Sequence, residues 1–454
     1  AMSRLLSGIT QVGAWGCFDE LNRMNETTLS SVTSHVEKIQ LALLKKCDQV
    51  HLMNQSIPLN ADAGLFITFN PGYGGRSVLP ENLKKRFREY SVRKAETDTI
   101  SEVIMRIMGF QKAHSLSKKL VCLFETLRTD CSSQKHYDFG LRSFKKVFKT
   151  CAELAGKRGH HANEECLLTE SMSQIILPSL NKADEVVFMS HTNRLFSHHE
   201  SMIFSHEFNQ KLLEACKECF IEPTKEFAMK CAQLFNLQRS QQAIILMGPA
   251  GFGKTAVWRT TLMAIKKLGA LHIFAYVIDT KTLTKNSLYG RLNEATLEWK
   301  DGIFTSILRK VNDDMAGTFK DAMVWVVFDS DLDPEYIEVL NSALDDNKLL
   351  TLPTGERIAM PQNLRLLFEA PDLDYATPAT ITRCAIIWFP EPLYADHEQL
   401  NCSLTKAAQE VQARSGISED FVKHMGLILR ELLSPVDFSC ISAEAKLFHH
   451  ILSF

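Results

Sequence analysis

The chain has 454 residues, of which 45% are apolar and 23% are charged, and its formal net charge is −2. These values are typical of a globular protein with about three domains. The near-neutral net charge gives no reason to expect the strongly basic surface that a nucleic-acid-binding protein usually presents. No apolar run approaches the roughly 20 residues that span a bilayer. We therefore expect neither nucleic-acid binding nor membrane insertion.

Residues 1–95 contain two strand candidates, AWGCF and LFITF, with an amphipathic helix candidate between them. Asp19 and Glu20 follow the first strand, and Asn70 follows the second. In nucleotide hydrolases, a strand that ends in two carboxylates directs one to a magnesium ion and the other to the attacking water. Each signal alone also has a simpler reading, because acidic strand ends and Asn-Pro-Gly turns are common. Together they predict the later part of an α/β nucleotide-binding module.

The strand rhythm is lost after residue 95, and helical periodicity replaces it as far as about residue 235. We predict a small helical subdomain over 96–180 and a helical connector over 181–235. Arg142, in the stretch HYDFGLRSF, is a candidate to contact the phosphates of a bound nucleotide as a second sensor. An arginine on a helix is more commonly solvated.

Five short apolar runs follow between residues 236 and 392: AIILM, FAYVI, MVWVVF, LRLLFE and AIIWF. Helical stretches such as KTAVWRTTLMAIKKL separate several of them. Strands that are apolar on both faces are typical of a parallel sheet covered by helices on either side. The sequence therefore predicts a second, complete α/β module with a five-stranded parallel sheet. The tail, 393–454, is predicted to begin a second helical subdomain.

The stretch ILMGPAGFGKTAVW matches the phosphate-loop pattern G-x-x-x-x-G-K-[ST] and lies between a predicted strand and a predicted helix. The glycines allow backbone N–H groups to close around phosphates, and the helix N-terminus favours their negative charge. Lys254 is expected to reach the terminal phosphates, and Thr255 to offer its hydroxyl to Mg²⁺. The sequence thus predicts that ATP is bound by Gly248, Pro249, Ala250, Gly251, Gly253, Lys254 and Thr255.

The strand MVWVVFDSDLD places Asp329 at its end as the predicted magnesium-side carboxylate. The next position, where a general base is expected, is Ser330, which cannot accept a proton from water as a carboxylate does. Asp331 and Asp333 are possible substitutes, although both follow the strand end. Glu369 takes the place of an uncharged γ-phosphate sensor, where a second anion repels the phosphate. We predict a module that binds ATP without hydrolysing it efficiently.

The two halves of the chain repeat one order of residues, which indicates two tandem copies of one module. The first copy has Asp19, Asn70 and Arg88 in that order, and the second has Asp329, Glu369 and Arg383. In ring-forming ATPases, an arginine in the position of Arg383 stabilises the γ-phosphate of the neighbouring module during hydrolysis. The simpler interpretation of Arg383 is a salt-bridged surface arginine.

We predict magnesium ligands at Asp19, Thr255 and Asp329.

Several longer stretches resemble the cytoplasmic dynein heavy chain family, and their sequences are most similar to those of its fungal members. They include QVGAWGCFDELNRM, FITFNPGYGGRSVLPENLKKRFREYS, HYDFGLRSFKKVF, WVVFDSDLDPEYIEVLNSALDDNKLLTLPTGERIAMP and YATPATITRCAIIWF. The resemblance covers nearly the whole chain and is weakest over about 155–235 and after about 395. It implies two AAA+ modules of a six-module motor ring, with the first phosphate loop preceding residue 1.

By this resemblance, the full-length protein is a minus-end-directed microtubule motor of the cytoplasm that hydrolyses ATP and carries intermediate and light chains. Asp19, Glu20, Asn70 and Arg142 then correspond to the magnesium, base and sensor positions of the main hydrolysis site. Arg383 corresponds to the arginine finger that the second module supplies to the first, and Arg88 to the same position in the first module. We expect the isolated chain to be inactive or weakly active as an ATPase.

Two alternatives to a motor remain open at this point. A tandem AAA+ remodelling ATPase has a similar phosphate loop and a similar sheet. A regulatory nucleotide-binding scaffold with no motor role also fits, because Ser330 stands where the second module needs a base. The stretches LTLPTGERIAMP and FNPGYGGRS favour the dynein reading over both.

Overall fold

The computed structural model describes residues 2–393, apart from positions 20, 25, 53–54, 70–78, 93–95, 159–162, 197–205, 220, 222, 270–271, 294–295, 297, 315–316, 318, 320–321, 346 and 353. The chain divides into two compact units, residues 1–95 and 96–454. The finer boundaries predicted from the sequence stay predictions. Among the described residues, no helix is both long enough and apolar enough to cross a lipid bilayer.

Unit one, residues 1–95, combines helices with short strands. Its elements are α1 (Met2–Val12), β1 (Trp15–Phe18), α2 (Glu26–Leu44), β2 (Gln49–Leu52), β3 (Gln55–Pro58), β4 (Gly64–Ile67) and α3 (Glu81–Lys84). Strands β1 and β4 are parallel neighbours, whereas β2 and β3 form an antiparallel hairpin. The core of the unit is built on the apolar stripe of α2. Leu29, Val32, Val36 and Ile39 recur at helical spacing and are all buried.

Unit two, residues 96–454, begins with a run of helices. They are α4 (Thr97–Ile107), α5 (Ala113–Asp130), α6 (Leu141–Arg158), α7 (Glu164–Ile176), α8 (Lys182–Leu195), α9 (His206–Glu218) and α10 (Lys225–Ser240). Side chains that favour helix starts cap several of them; for example, the oxygens of Asn181 and Thr224 accept the N–H groups of Asp184 and Phe227 at the starts of α8 and α10. The helical reading of this region agrees with these elements.

The rest of unit two is an α/β layer structure. Its strands are β5 (Ala243–Met247), β6 (His272–Ile278), β7 (Gly290–Leu292), β8 (Trp299–Asp301), β9 (Ala322–Asp329), β10 (Leu349–Thr351), β11 (Arg357–Ala359), β12 (Leu364–Ala370) and β13 (Ala385–Trp388). Its helices are α11 (Lys254–Lys267), α12 (Lys285–Tyr289), α13 (Ile303–Asp313), α14 (Pro334–Leu344) and α15 (Pro378–Arg383).

The central sheet has five parallel strands in the order β13-β5-β12-β9-β6. Both of its faces are apolar, since alternate residues of one strand enter different cores. Ile244 and Leu246 pack in a core with the preceding helices and α11. Ala243 and Ile245 pack in a second core with α13 and α14. The predicted α/β fold with a five-stranded parallel sheet is therefore confirmed.

This topology brings three strand ends to one edge of the sheet. Glu369 of β12 lies beside Leu246 of β5 on one side and beside Asp329 of β9 on the other. Parallel α/β sheets bind ligands at the carboxyl ends of their strands. The loop between β5 and α11 lies at the same edge, so the candidate nucleotide-binding residues converge there.

Candidate nucleotide-binding site

The loop between β5 and α11 depends on glycine at both of its ends. A Cβ atom at Gly248 would lie 2.6 Å from the carbonyl oxygen of Phe389, so any side chain there would collide with the backbone of β13's end. Gly253 has φ +93°, in the left-handed region that L residues rarely adopt. These two constraints keep the loop backbone close to the sheet edge. The loop then continues directly into the N-terminus of α11.

Lys254 is held by the loop that precedes it. Its ammonium group donates to the carbonyl oxygens of Gly248 and Pro249, the second at 2.9 Å, and the residue is only 9% exposed. A buried ammonium needs such partners, because burial without them is costly. The same group lies at the start of a 14-residue helix whose N-terminus favours anions. Lys254 is thus positioned to exchange carbonyl partners for phosphate oxygens.

Thr255 is connected across the sheet edge to Glu369. Its hydroxyl donates to Oε2 of Glu369 at 2.6 Å, and the indole N–H of Trp258 donates to Oε1 of the same carboxylate. Glu369 is 5% exposed and Trp258 is 4% exposed. Burial raises the pKa of Glu369, while the hydrogen bonds from Thr255 and Trp258 oppose that rise. Glu369 is therefore engaged by two donors from α11, and its expected position at a γ-phosphate stays a prediction.

Asp329 and Ser330 occupy the end of β9 with different surroundings. Asp329 is exposed at the strand end beside Glu369. Ser330 is buried, and its hydroxyl is hydrogen-bonded to that of Thr280. Asp331 pairs with Lys281 at 3.3 Å, and Asp333 is exposed beyond it. The position after Asp329 thus holds a hydroxyl that is hydrogen-bonded to a neighbouring side chain.

In unit one, Asp19 directly follows β1 and accepts a hydrogen bond from the hydroxyl of Thr68, which directly follows β4. The two residues therefore meet at the carboxyl ends of two parallel strands, where the sequence predicts a nucleotide site. Glu20 and Asn70 lie outside the described residues. Arg88 is exposed, with its guanidinium 5.7 Å from the centre of the Tyr90 ring.

Comparison with models of protein families gives two matches. Residues 1–255 match the hydrolytic ATP binding site of the dynein motor region, and residues 243–384 match the AAA domain of the dynein-related subfamily. The first match covers more than half of the 454 residues. The chain belongs to the dynein motor-region family. The resemblance seen in the sequence is thereby confirmed, and the tandem AAA+ arrangement agrees with the two matches.

Individual relatives of this dynein motor-region chain are cytoplasmic dynein heavy chains. The protein of Saccharomyces cerevisiae is 47% identical over 418 residues, which is 92% of this chain and 10% of that protein. The protein of Paramecium tetraurelia is 38% identical over 471 residues, 100% of this chain and 10% of that protein. The chain therefore spans about a tenth of the length of the curated relatives it matches.

Arg142 and Arg383 of this dynein motor-region chain both contact the short segment around α15. Arg383 is the last residue of α15, and its side chain is 11% exposed. Its guanidinium pairs with both carboxylate oxygens of Asp345, at 2.6 and 2.8 Å. Arg142 donates to the hydroxyl of Thr382 at 3.0 Å. Their predicted roles as arginine finger and second sensor stay predictions.

Sequence reasoning missed three residues of this arrangement: Trp258, Thr280 and Asp345. Trp258 lies three residues after Thr255 on α11, so the i,i+3 spacing alone could have placed the two on one helix face. Thr280 and Asp345 had no such signal, because each meets its partner through the tertiary fold. Thr280 reaches Ser330 from the segment after β6, and Asp345 reaches Arg383 from the end of α14.

Proposed function

We propose that this chain is part of the ATP-driven motor ring of a cytoplasmic dynein heavy chain, and that its second module binds ATP and hydrolyses it poorly. One observation carries the second half of this proposal. The residue after Asp329 is Ser330, and its hydroxyl is bound to Thr280, so no carboxylate stands there to activate water.

The residues at the sheet edge also fit a magnesium ion, which supplies charge neutralisation to bound phosphates. Hydroxyl and carboxylate oxygens such as those of Thr255 and Asp329 are the hard ligands that Mg²⁺ prefers, completed by phosphates and water. Among the described residues there is no cluster of three or more His, Cys, Asp or Glu side chains that would hold a metal by itself. We therefore propose that Thr255 and Asp329 hold Mg²⁺ together with the nucleotide.

In the full-length protein, we propose microtubule-directed movement toward the minus end, driven mainly by ATP hydrolysis in the first module, with intermediate and light chains as partners. The relatives support this proposal because they are cytoplasmic dynein heavy chains. This proposal includes the roles predicted for Asp19, Glu20, Asn70, Arg142 and Arg383. Substitution of each residue in the full-length protein tests them.

The nucleotide-binding half of the proposal is tested by measuring ATP affinity in Mg²⁺ buffer, by calorimetry or equilibrium dialysis. Lys254→Ala removes a charge-assisted contact to phosphate and should weaken ATP binding about ten- to hundredfold. Lys266→Ala is the matched control, since Lys266 is an exposed lysine on the same helix, α11. Equal affinities for the Lys254→Ala variant and the control would refute phosphate binding by this loop.

A further inference from the structure

Glu369 is a buried carboxylate whose two oxygens are both used by one helix. Thr255 donates to Oε2 at 2.6 Å and Trp258 donates to Oε1, and both donors lie on the first turns of α11. Because Glu369 and Trp258 are each no more than 5% exposed, water does not compete strongly for these contacts. The geometry therefore fixes the direction of the Thr255 hydroxyl hydrogen.

A threonine hydroxyl has one hydrogen and two acceptor lone pairs. When its hydrogen points to Glu369, the lone pairs of Thr255 point elsewhere and are available to a cation. Asp329 lies next to Glu369 in the register of β9 and β12, on the same edge of the sheet. Trp258 holds the carboxylate by its other oxygen, so the carboxylate cannot rotate freely away from Thr255.

We propose that Glu369 is a positioning residue for Mg²⁺ at the second module, which orients the Thr255 hydroxyl and is itself fixed by Trp258. This inference rests on the proposed function, because it needs nucleotide and Mg²⁺ to bind at this loop. The carboxylate charge favours Mg²⁺ binding, as the orientation of the Thr255 hydroxyl does. It attracts a divalent cation at the site and repels phosphates that arrive without one.

Glu369→Gln removes the charge and reverses the direction of the hydrogen bond with Thr255. The amide has the same shape but no charge, and its NH₂ group can donate to the Thr255 oxygen, which occupies a lone pair that would face the cation. The measured quantity is the Mg²⁺ preference of ATP binding, defined as the dissociation constant in EDTA divided by that in Mg²⁺. We expect Glu369→Gln to lower this preference about tenfold, as for loss of one hydrogen bond to a charged group.

A double-variant cycle separates positioning from a general charge effect. In a Thr255→Ala background there is no hydroxyl to orient, so Glu369→Gln should lower the Mg²⁺ preference much less. Thr255→Ser keeps the hydroxyl and should keep the preference. Trp258→Phe removes the donor to Oε1 and should lower the preference in the same direction as Glu369→Gln, by a smaller factor. This variant also provides the test if the Glu369→Gln chain does not fold.

An unchanged Mg²⁺ preference in the folded Glu369→Gln or Trp258→Phe chain would overturn the proposal. An equal drop with and without the Thr255 hydroxyl would also overturn it, because the carboxylate would then act only by its charge. A purely structural Glu369 would change stability and leave the ratio of the two dissociation constants unmoved. Failure of the proposed function looks different, since the unsubstituted chain would then bind no ATP in either buffer.

Discussion

His136 is a buried histidine in unit two, 6% exposed, and one nitrogen of its ring donates to the Ser179 carbonyl at 2.9 Å. Since a carbonyl oxygen only accepts, that nitrogen, Nε2, carries the proton. The ring also lies edge-on to Trp388, with 4.9 Å between the ring centres. Burial lowers the pKa of His136 below its ordinary value, and the bond to Ser179 only partly offsets this. The native state therefore favours the neutral ring.

Because the pKa of the buried His136 is lowered, we predict that the protein loses stability in mild acid. The His136 pKa is lower when folded, so the unfolded chain binds more protons below the unfolded value of about 6.5. Its stabilising contribution is complete above that pH and falls as pH drops toward the folded pKa, by at most about 1.4 kcal/mol per pH unit. Urea unfolding at pH 7.5 and pH 5.5 should show a smaller acid loss for His136→Gln than for the unsubstituted chain.

The matched control is His272→Gln, because His272 is exposed at the start of β6. We expect this variant to keep the acid loss of the unsubstituted chain. If His136→Gln and His272→Gln lose equal stability between the two pH values, burial of His136 is not the cause of the pH dependence.

At the residue scale, the sequence predicts best what is local. The phosphate loop, Lys254 and Thr255 lie within eight residues of one another, and their spacing alone carries the chemistry. The contact between Thr255 and Glu369 joins residues 114 positions apart, and its existence depends on β5 and β12 being neighbours. The sequence predicts that both strands end at one edge. It does not predict that the carboxylate turns toward α11, because that depends on how Trp258 packs.

At the element scale, α15 is a six-residue helix that is too short to be stable alone. Thr377 caps its start, and the hydroxyl of Thr380 donates to Asn341 of α14 at 3.0 Å. The two hydrogen bonds between Arg383 and Asp345 attach its end to the residue that follows α14. The helix is thus capped by its own Thr377 and held by polar contacts with α14 and the residue after it at Thr380 and Arg383.

Removing the Asp345 carboxylate should therefore weaken this connection. Arg383 is 11% exposed on its side chain and Asp345 is 39% exposed, so the pair is only partly screened by water. We expect Asp345→Ala to lower the free energy of unfolding by about 1–2 kcal/mol, at the low end for a buried pair because of that exposure. Denaturant unfolding of the chain measures the change.

The control is Glu214→Ala, which breaks an exposed pair between Lys211 and Glu214 on α9. Such surface pairs contribute about 0.5 kcal/mol or less. Equal losses for Asp345→Ala and Glu214→Ala would show that the Arg383 pair behaves as an ordinary surface contact.

Helices and strands differ in how well the sequence predicts them. The five strands of the central sheet were predicted within two residues of their ends, because strands buried on both faces are continuous apolar runs. The hairpin of β2 and β3 was not predicted, since its strands are four residues long and half-exposed. The hairpin of β10 and β11 has a visible turn signal in LPTGE, with Gly355 at φ +89°.

At the scale of the whole molecule, the two predicted modules have different residues at corresponding positions, which supports the proposal that they treat ATP differently. The first has the acidic pair Asp19 and Glu20, and the second has Asp329 followed by Ser330. The one phosphate-loop motif in this sequence belongs to the second module, where the residue after Asp329 is a serine and not a carboxylate. Nucleotide binding without efficient hydrolysis is therefore the central expectation for this chain.

The fate of ATP bound at the second module tests this expectation most directly. The chain is incubated with ATP and Mg²⁺, unbound nucleotide is removed, and the bound nucleotide is identified by chromatography while phosphate release is followed. We predict about one ATP per chain, mostly intact, with release slower than about one per minute against a typical enzyme rate of about ten per second. Lys254→Ala should retain no nucleotide. Bound ADP with rapid phosphate release that Lys254→Ala abolishes would contradict the prediction.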